Sequence, residues 1–286
     1  VHIESGDHVA WWTKDAPAPV ESEAWSTPVS AVASGAAGLF AVGEGGTVLR
    51  WGGTSFTAQQ SPTNRNLHAV WLDATTPDGW IGGDDGVLLR RDAVLGWQTA
   101  GSPTTARILA LSGGVSGPWM LDAAGVIHHY NGKQWSSVPG PKDAKGLRTL
   151  AAQSVQATAP ASALNHDELW VAGEGGGLYH GVPLAGGTWA WTQSLGAAKH
   201  TTWLAIQPEG KAVWLAGEAG ALALATAGTI TPLDSGTSQP LRAVHLKADG
   251  GAFVVGGAGT WLEVKQGAAP INRSIKGLEV DLHGVA

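Results

Sequence analysis

Residues 40–46 read FAVGEGG, and the same phrase returns as WIGGDDG at 80–86, WVAGEGG at 170–176 and WLAGEAG at 214–220. An aromatic residue, two apolar or small residues, Gly, an acid, any residue and a closing Gly thus recur along the chain. Looser copies stand at 119–125 (WMLDAAG) and 253–259 (FVVGGAG), and VHIESG at 1–6 reads as a copy that lacks its aromatic. The closing Gly is present in all seven. A period of roughly 40 residues is the signature of a stacked or radial array, because each unit buries its apolar face only against its neighbours.

Working outward, each phrase reads as a strand, a tight turn and a second strand, such as Val48 to Trp51 or Val87 to Arg91. Turns between antiparallel strands need positive φ, which Gly adopts without steric cost. Beyond the turn comes a segment centred on Trp25, Phe56, Trp97, Trp135, Trp191, Ile230 or Ile271, read as an outermost strand. Ahead of the phrase lies an apolar–any–small–apolar segment: VSAV at 29–32, LHAV at 67–70, ILAL at 108–111, LRTL at 147–150, WLAI at 203–206, LRAV at 241–244 and LHGV at 282–285. Small residues at its third position suit an innermost strand crowded around an axis.

These four strands per unit predict an all-β fold. The expected fold is a seven-bladed β-propeller of four antiparallel strands per blade, one domain over residues 1–286. The expected blades are 29–66, 67–107, 108–146, 147–202, 203–240, 241–281, and 282–286 joined to 1–28. The last inner strand has no turn after it and the first turn has no inner strand before it. The C-terminal strand is therefore expected to complete the N-terminal blade and close the circle. Two insertions stand out, an Ala/Ser/Pro-rich stretch between Ala152 and Asp167, expected opposite the acidic turns, and Thr13 to Glu23 at the outer rim.

Composition narrows the function classes. A net charge of −6 without a long basic run gives no footprint for nucleic acid. No run of about 18 apolar residues appears, so no membrane span is expected. Forty-two Gly residues in 286 reflect the turns, and the absence of Cys removes disulfides and thiolate zinc sites. The start at Val1 fits removal of a leader, an artificial start or missing preceding residues, and the lack of Cys is compatible with an oxidising compartment, so a secreted or periplasmic location is the expectation.

The phrases FAVGEGGTVLRW and GWIGGDDGVLLRR resemble the repeats of the photosystem II assembly-factor family, related neuraminidase-like repeat propellers and Trp-rich secreted bacterial propellers. The resemblance covers nearly the whole chain. It implies a propeller that serves as an assembly or interaction platform. The Ser-x-Asp-x-Gly-x-Thr-Trp turn of sialidase-like propellers is absent, the corresponding segments reading WGGTSF at 51–56 and YNGKQW at 130–135.

The second residue of each inner strand is expected near the channel entrance on the acidic-turn face: Ser30, His68, Leu109, Arg148, Leu204, Arg242 and His283. Nearby turn acids are Glu4, Glu44, Asp84, Glu174 and Glu218. One reading is a polar funnel that binds an anionic group or partner loop through Arg148 and Arg242. The other pairs each base with an acid of a neighbouring blade as a clamp. Calcium is not expected, because each turn offers one or two oxygens, Asp84 and Asp85 being the one adjacent pair. His128, His129 and His180 read as surface histidines, since successive strand residues point to opposite faces. No metal or cofactor is expected.

Trp80, Trp119, Trp170 and Trp214 occupy one repeated place and should pack between blades. Trp12, Trp51, Trp71, Trp189 and Trp261 depart from that place and are candidates for ligand contact. Tyr130 and Tyr179 stand in strand positions expected to be packed. No nucleophile elbow, helical His pair or phosphate loop appears. The sequence therefore reads as a non-catalytic scaffold that docks a protein partner on the channel face. A glycan-binding propeller using exposed Trp and a hydrolase or lyase acting in the channel are the alternatives.

Overall fold

The computed structural model describes residues 27–156, 165–196, 201–274 and 280–285, together with the backbone of strands His2–Ser5, His8–Trp11 and Val20–Glu21. Six consecutive stretches each fold into a four-stranded antiparallel meander, ordered from the channel outward. The first runs through Val29–Gly35, Gly38–Gly43, Val48–Trp51 and Phe56–Ala58. The second runs through Leu67–Leu72, Gly79–Gly83, Leu88–Asp92 and Gly96–Thr99. The third spans residues 108–138, the fourth 147–193, the fifth 203–233 and the sixth 241–272. The fifth carries an added outer strand, Leu195–Gly196, parallel to Thr229–Leu233. Among the described residues no helix is long and apolar enough to cross a membrane.

The expectation of seven equivalent blades is corrected to six blades. Among the described residues, six stretches of chain run unbroken through all four strands. What remains is a terminal seam, in which Leu282–Val285 pairs with His2–Ser5 through Ile3 to Val285 and Ser5 to Leu282. His8–Trp11 and the two-residue Val20–Glu21 follow outward. Counting inner-strand segments gave the seam the weight of a whole repeat, although it joins pieces from both ends of the chain. The outer strand expected around Trp25 is Val20–Glu21, and Trp25 itself lies outside the described residues.

The core is a set of apolar layers between neighbouring blades. Phe40 packs with Leu67, Val70 and Ile81 of the next blade, Trp80 with Ile108 and Met120, and Trp119 with Leu147 and Leu169. Trp170 and Trp214 repeat the arrangement against blades five and six. Wide side chains at this repeated place fill a wedge that opens away from the axis, and all five aromatics are buried.

The closing Gly has a reason beyond turn geometry. Asp85 and Ala219 adopt positive φ one position earlier, so handedness alone does not demand Gly. At Gly86 and Gly220, however, a Cβ would run into the carbonyl oxygens of Thr104 and Thr237 in the strand-to-strand linker. Close backbone approach selects Gly there. The extended arms of the fourth blade, Leu147–Val155 and His166–Gly173, bracket the predicted insertion on the face opposite the turns. Its residues 157–164, like the 13–23 insertion apart from strand Val20–Glu21, lie outside the described residues.

Candidate functional site at the channel mouth

Each inner strand carries one extra residue against its neighbour. Val29 faces Gly43 and Ala31 faces Val42, leaving Ser30 as a bulge. The same shift falls at His68, Leu109, Arg148, Leu204 and Arg242. A bulge bends its strand and re-aims a side chain, which is how the second position of each segment comes to the channel end.

The channel has a volume of about 640 Å³. Its wall carries Val32, Val70, Leu111, Leu150, Ile206, Val244 and Val285, so that every inner strand supplies at least one aliphatic residue. His68, Arg242, His245 and His283 also line it, and no carboxylate does among the described residues. Arg148 is not part of the wall. The fourth strand contributes Thr149 and Leu150 instead, while Arg148 Nη2 donates to Glu174 Oε1 at 2.6 Å with both side chains half exposed.

Most of the mouth's charge is internally matched. Asp84 Oδ1 lies 2.9 Å from His68 Nε2 and 2.7 Å from Arg107 Nε. Burial works to raise the Asp84 pKa, but the hydrogen bonds and charges of His68 and Arg107 outweigh it and hold the carboxyl below the usual range. Arg65 pairs with Asp85 at 3.3 Å. Arg242 Nη2 donates to Asp281 Oδ2 at 2.9 Å, and Asp281 Oδ1 accepts from the Ala258 N–H. The clamps differ from the expected pattern, because His68–Asp84 and Arg148–Glu174 close within one blade, while Arg107 and Asp281 come from linkers that lead into the next inner strand. Glu44 and Glu218 are exposed in their turns, and the bulge residues of the same blades, Ser30 and Leu204, offer no base.

His283 is set apart from these pairs. Burial first, then the Arg242 charge, pushes its pKa below the usual histidine value, with Asp281 pulling the other way. It is a donor and acceptor on the wall rather than a fixed cation. The Nε–H of Arg242 is buried without a protein acceptor. The mouth therefore presents Arg242 and His283 to the channel, while no described carboxylate lines it.

The aromatic candidates distribute differently. Trp71 lines the channel and lies against Gly113, where a Cβ would collide with its ring. Trp51 sits 5.1 Å from Phe56, Trp189 stacks at 5.9 Å on Trp191, and Trp261 is buried beside Phe253. Trp12 and Glu4 carry no described side chain.

The surface reading of the histidines is corrected. His128 is only 4% exposed, with Nε2 3.1 Å from Asp122. His129 stacks on Trp119 at 4.0 Å and donates to the Ser116 carbonyl. His180 stacks on Trp170 at 4.0 Å and meets Glu168 at 2.7 Å. Among the described residues no group of three or more acidic or histidine side chains forms a metal set.

A further regularity escaped the sequence reading. The residue directly across the strand pair from each repeated aromatic stands ten positions later: Arg50, Arg90, His129, His180, Leu224 and Glu263. Blades one to four thus lay a planar cation or imidazole over the aromatic face, Arg50 at 5.9 Å from Phe40 and Arg90 at 5.3 Å from Trp80. The constant spacing was visible in the sequence, but reading the phrase only as far as its closing Gly hid it.

No protein-family model matches the chain, and no curated protein sequence matches it. Among solved structures, the fold is similar to that of YCF48 bound to D1 peptide, with a TM-score of 0.69 and 17% identity, covering 94% of this chain and 90% of that one. It is also similar to the WD40 β-propeller domain of Doa1, with a TM-score of 0.67 and 10% identity, covering 90% and 86%. At these identities the likeness is one of fold.

Proposed function

We propose that the protein is a non-catalytic binding scaffold that docks a partner protein at the channel mouth, an acidic segment of the partner entering the channel. The observation that carries this reading is the wall itself. Arg242, partly exposed, and His283 line it with no carboxylate among the described lining residues, whereas His68 is already held by Asp84. A carboxylate from outside would add to Arg242 and His283 the acceptor that the wall itself does not supply. Support by analogy comes from YCF48, a propeller of similar fold solved with a D1 peptide bound.

The test is fluorescence anisotropy with labelled acidic and basic peptides of equal length. Acidic peptides should bind with an affinity that falls as salt rises, and Arg242→Gln combined with His283→Gln should weaken them about tenfold, the equivalent of about 1.4 kcal/mol. Equal binding of both peptides, or an unchanged affinity in the double variant, refutes the assignment.

A further inference from the structure

At the rim, two clefts meet at Arg90 and Ala100. The smaller, about 380 Å³, lies between the second and third blades and is walled by Trp80, Tyr130 and Trp135, with exposed Ser102, Lys133 and Gln134. The larger, about 670 Å³, presents Thr76, Gln98 and Thr99 together with Asp78 and Asp92.

The shared wall is fixed. Arg90 donates to both oxygens of Asp78 at 3.2 and 2.9 Å and to the Tyr130 hydroxyl at 3.1 Å. Its guanidinium covers Trp80 at 5.3 Å and Tyr130 at 5.5 Å. Tyr130 and Trp135, both half-buried, lie 5.4 Å apart with their rings inclined at 46°. The indole N–H groups of Trp80 and Trp135 have no acceptor from the protein. No carboxylate lines the smaller cleft, where Lys133 is the cation not already held by an acid.

We propose that this composite cleft binds an acidic oligosaccharide. One uronate ring stacks on Trp135 with its carboxylate on Lys133, the inclined Tyr130 ring closing its side, and the following sugars run past Arg90 along the Thr76, Gln98 and Thr99 side. Flat rings with polar edges suit a pyranose better than a peptide side chain, which calls for a deeper apolar hole. Hydroxyl and amide groups offer both donors and acceptors, as sugar hydroxyls require. The site is separate from the channel mouth and does not depend on the function proposed for it.

The probe is trigalacturonate, with maltotriose as the neutral control, followed by Trp fluorescence and isothermal titration on the full chain. Saturable binding of the uronate is expected, weakened about tenfold or more in Trp135→Ala. Trp135→Phe, which keeps a ring, should recover part of it if its thermal melt matches the parent. Lys133→Gln should erase the preference over maltotriose, while the Arg242→Gln/His283→Gln variant should bind as the parent does. No saturable uronate binding, unchanged affinity in Trp135→Ala, equal binding of maltotriose, or tighter binding of an acidic peptide at these same residues overturns the proposal.

Discussion

Replacing Asp167 with alanine tests whether cross-blade polar clamps hold the ring together. The side chain is 1% exposed and stands on the fourth blade, yet it serves the third. Oδ1 accepts from the Val115 N–H at 2.8 Å and the Ser154 hydroxyl at 3.1 Å. Oδ2 accepts from the Ser116 N–H at 3.0 Å and the Trp119 indole at 3.0 Å. Val115 and Ser116 are exposed, so their amides regain water cheaply. Trp119 is buried, so its N–H bears the full cost of roughly 1–3 kcal/mol for an unsatisfied buried donor. With about 0.5–1 kcal/mol for each of the three remaining bonds, Asp167→Ala should cost about 2.5–6 kcal/mol. At about 1.7 °C per kcal/mol for a chain of 286 residues, the melting temperature should fall by about 4–10 °C. A second substitution sharpens the test, because a Cβ at Gly114 would collide with the Asp167 carboxylate. Gly114→Ala alone should therefore destabilise by roughly 1–3 kcal/mol. In Asp167→Ala the added methyl enters the vacated space, and the double variant should be more stable than the sum by about 1 kcal/mol or more. Urea unfolding followed by Trp fluorescence measures all four corners of the cycle at a common m-value. A loss below about 1 kcal/mol in Asp167→Ala, or strict additivity in the double variant, refutes the clamp.

Gly86→Ala should cost at least about 2 kcal/mol, since the new Cβ meets the Thr104 carbonyl at a positive φ. Asp85→Ala should cost under about 1 kcal/mol, because Ala219 already holds that conformation and the Arg65–Asp85 pair is exposed. Thermal melts that reverse this order refute the close-approach argument. Acidification supplies a further prediction. The pKa values of His129 and His283 are pushed below 6.5, chiefly by burial, so the folded state binds fewer protons than the unfolded chain. Stability is then complete above pH 6.5 and declines as pH falls through it. The carboxyls of Asp84 and Asp281 act lower, stabilising above 3.8 and losing that contribution as pH falls through their depressed values. Urea midpoints should drop between about pH 7 and pH 5, with a shallower slope in His283→Gln. A flat profile in the parent refutes the assignment.

The repeat phrase made the strand pattern legible because it combines two independent physical demands. An aromatic must fill the wedge between blades, and a Gly must admit the linker carbonyl. The outer strands around Trp97, Trp135 and Ile230 followed from the same spacing. The second inner-strand residues were singled out without their cause, since a bulge leaves no mark on an apolar–any–small–apolar pattern. Partner choice was not legible. Asp281 and Arg107 sit in linkers outside the phrase, and they reach Arg242 and Asp84 only because adjacent blades are rotated about the axis. The blade count failed for a related reason, as a periodic pattern does not distinguish a continuous unit from one assembled across the termini.

The ring is regular in backbone and lopsided in chemistry, and that asymmetry bears on where ligands bind. Across from the repeated aromatic, blades one to four carry Arg50, Arg90, His129 and His180, whereas blades five and six carry Leu224 and Glu263. In the sixth blade the role is inverted. Glu263 is held by Lys247 and Arg273, and these hydrogen bonds, Lys247 first, keep its carboxyl below the usual range. Packing alone would not require this division, since Leu224 fills the fifth position against Trp214 with the same backbone register. Of the four cationic or imidazole positions, Arg50 reaches the Ala37 carbonyl, His129 the Ser116 carbonyl and His180 a carboxylate. Arg90 joins Asp78 to the hydroxyl of Tyr130 on the next blade. Among these four it is the one that bridges two blades at the edge of an open cleft. A repeat that elsewhere uses this place to brace a single blade here braces a cleft.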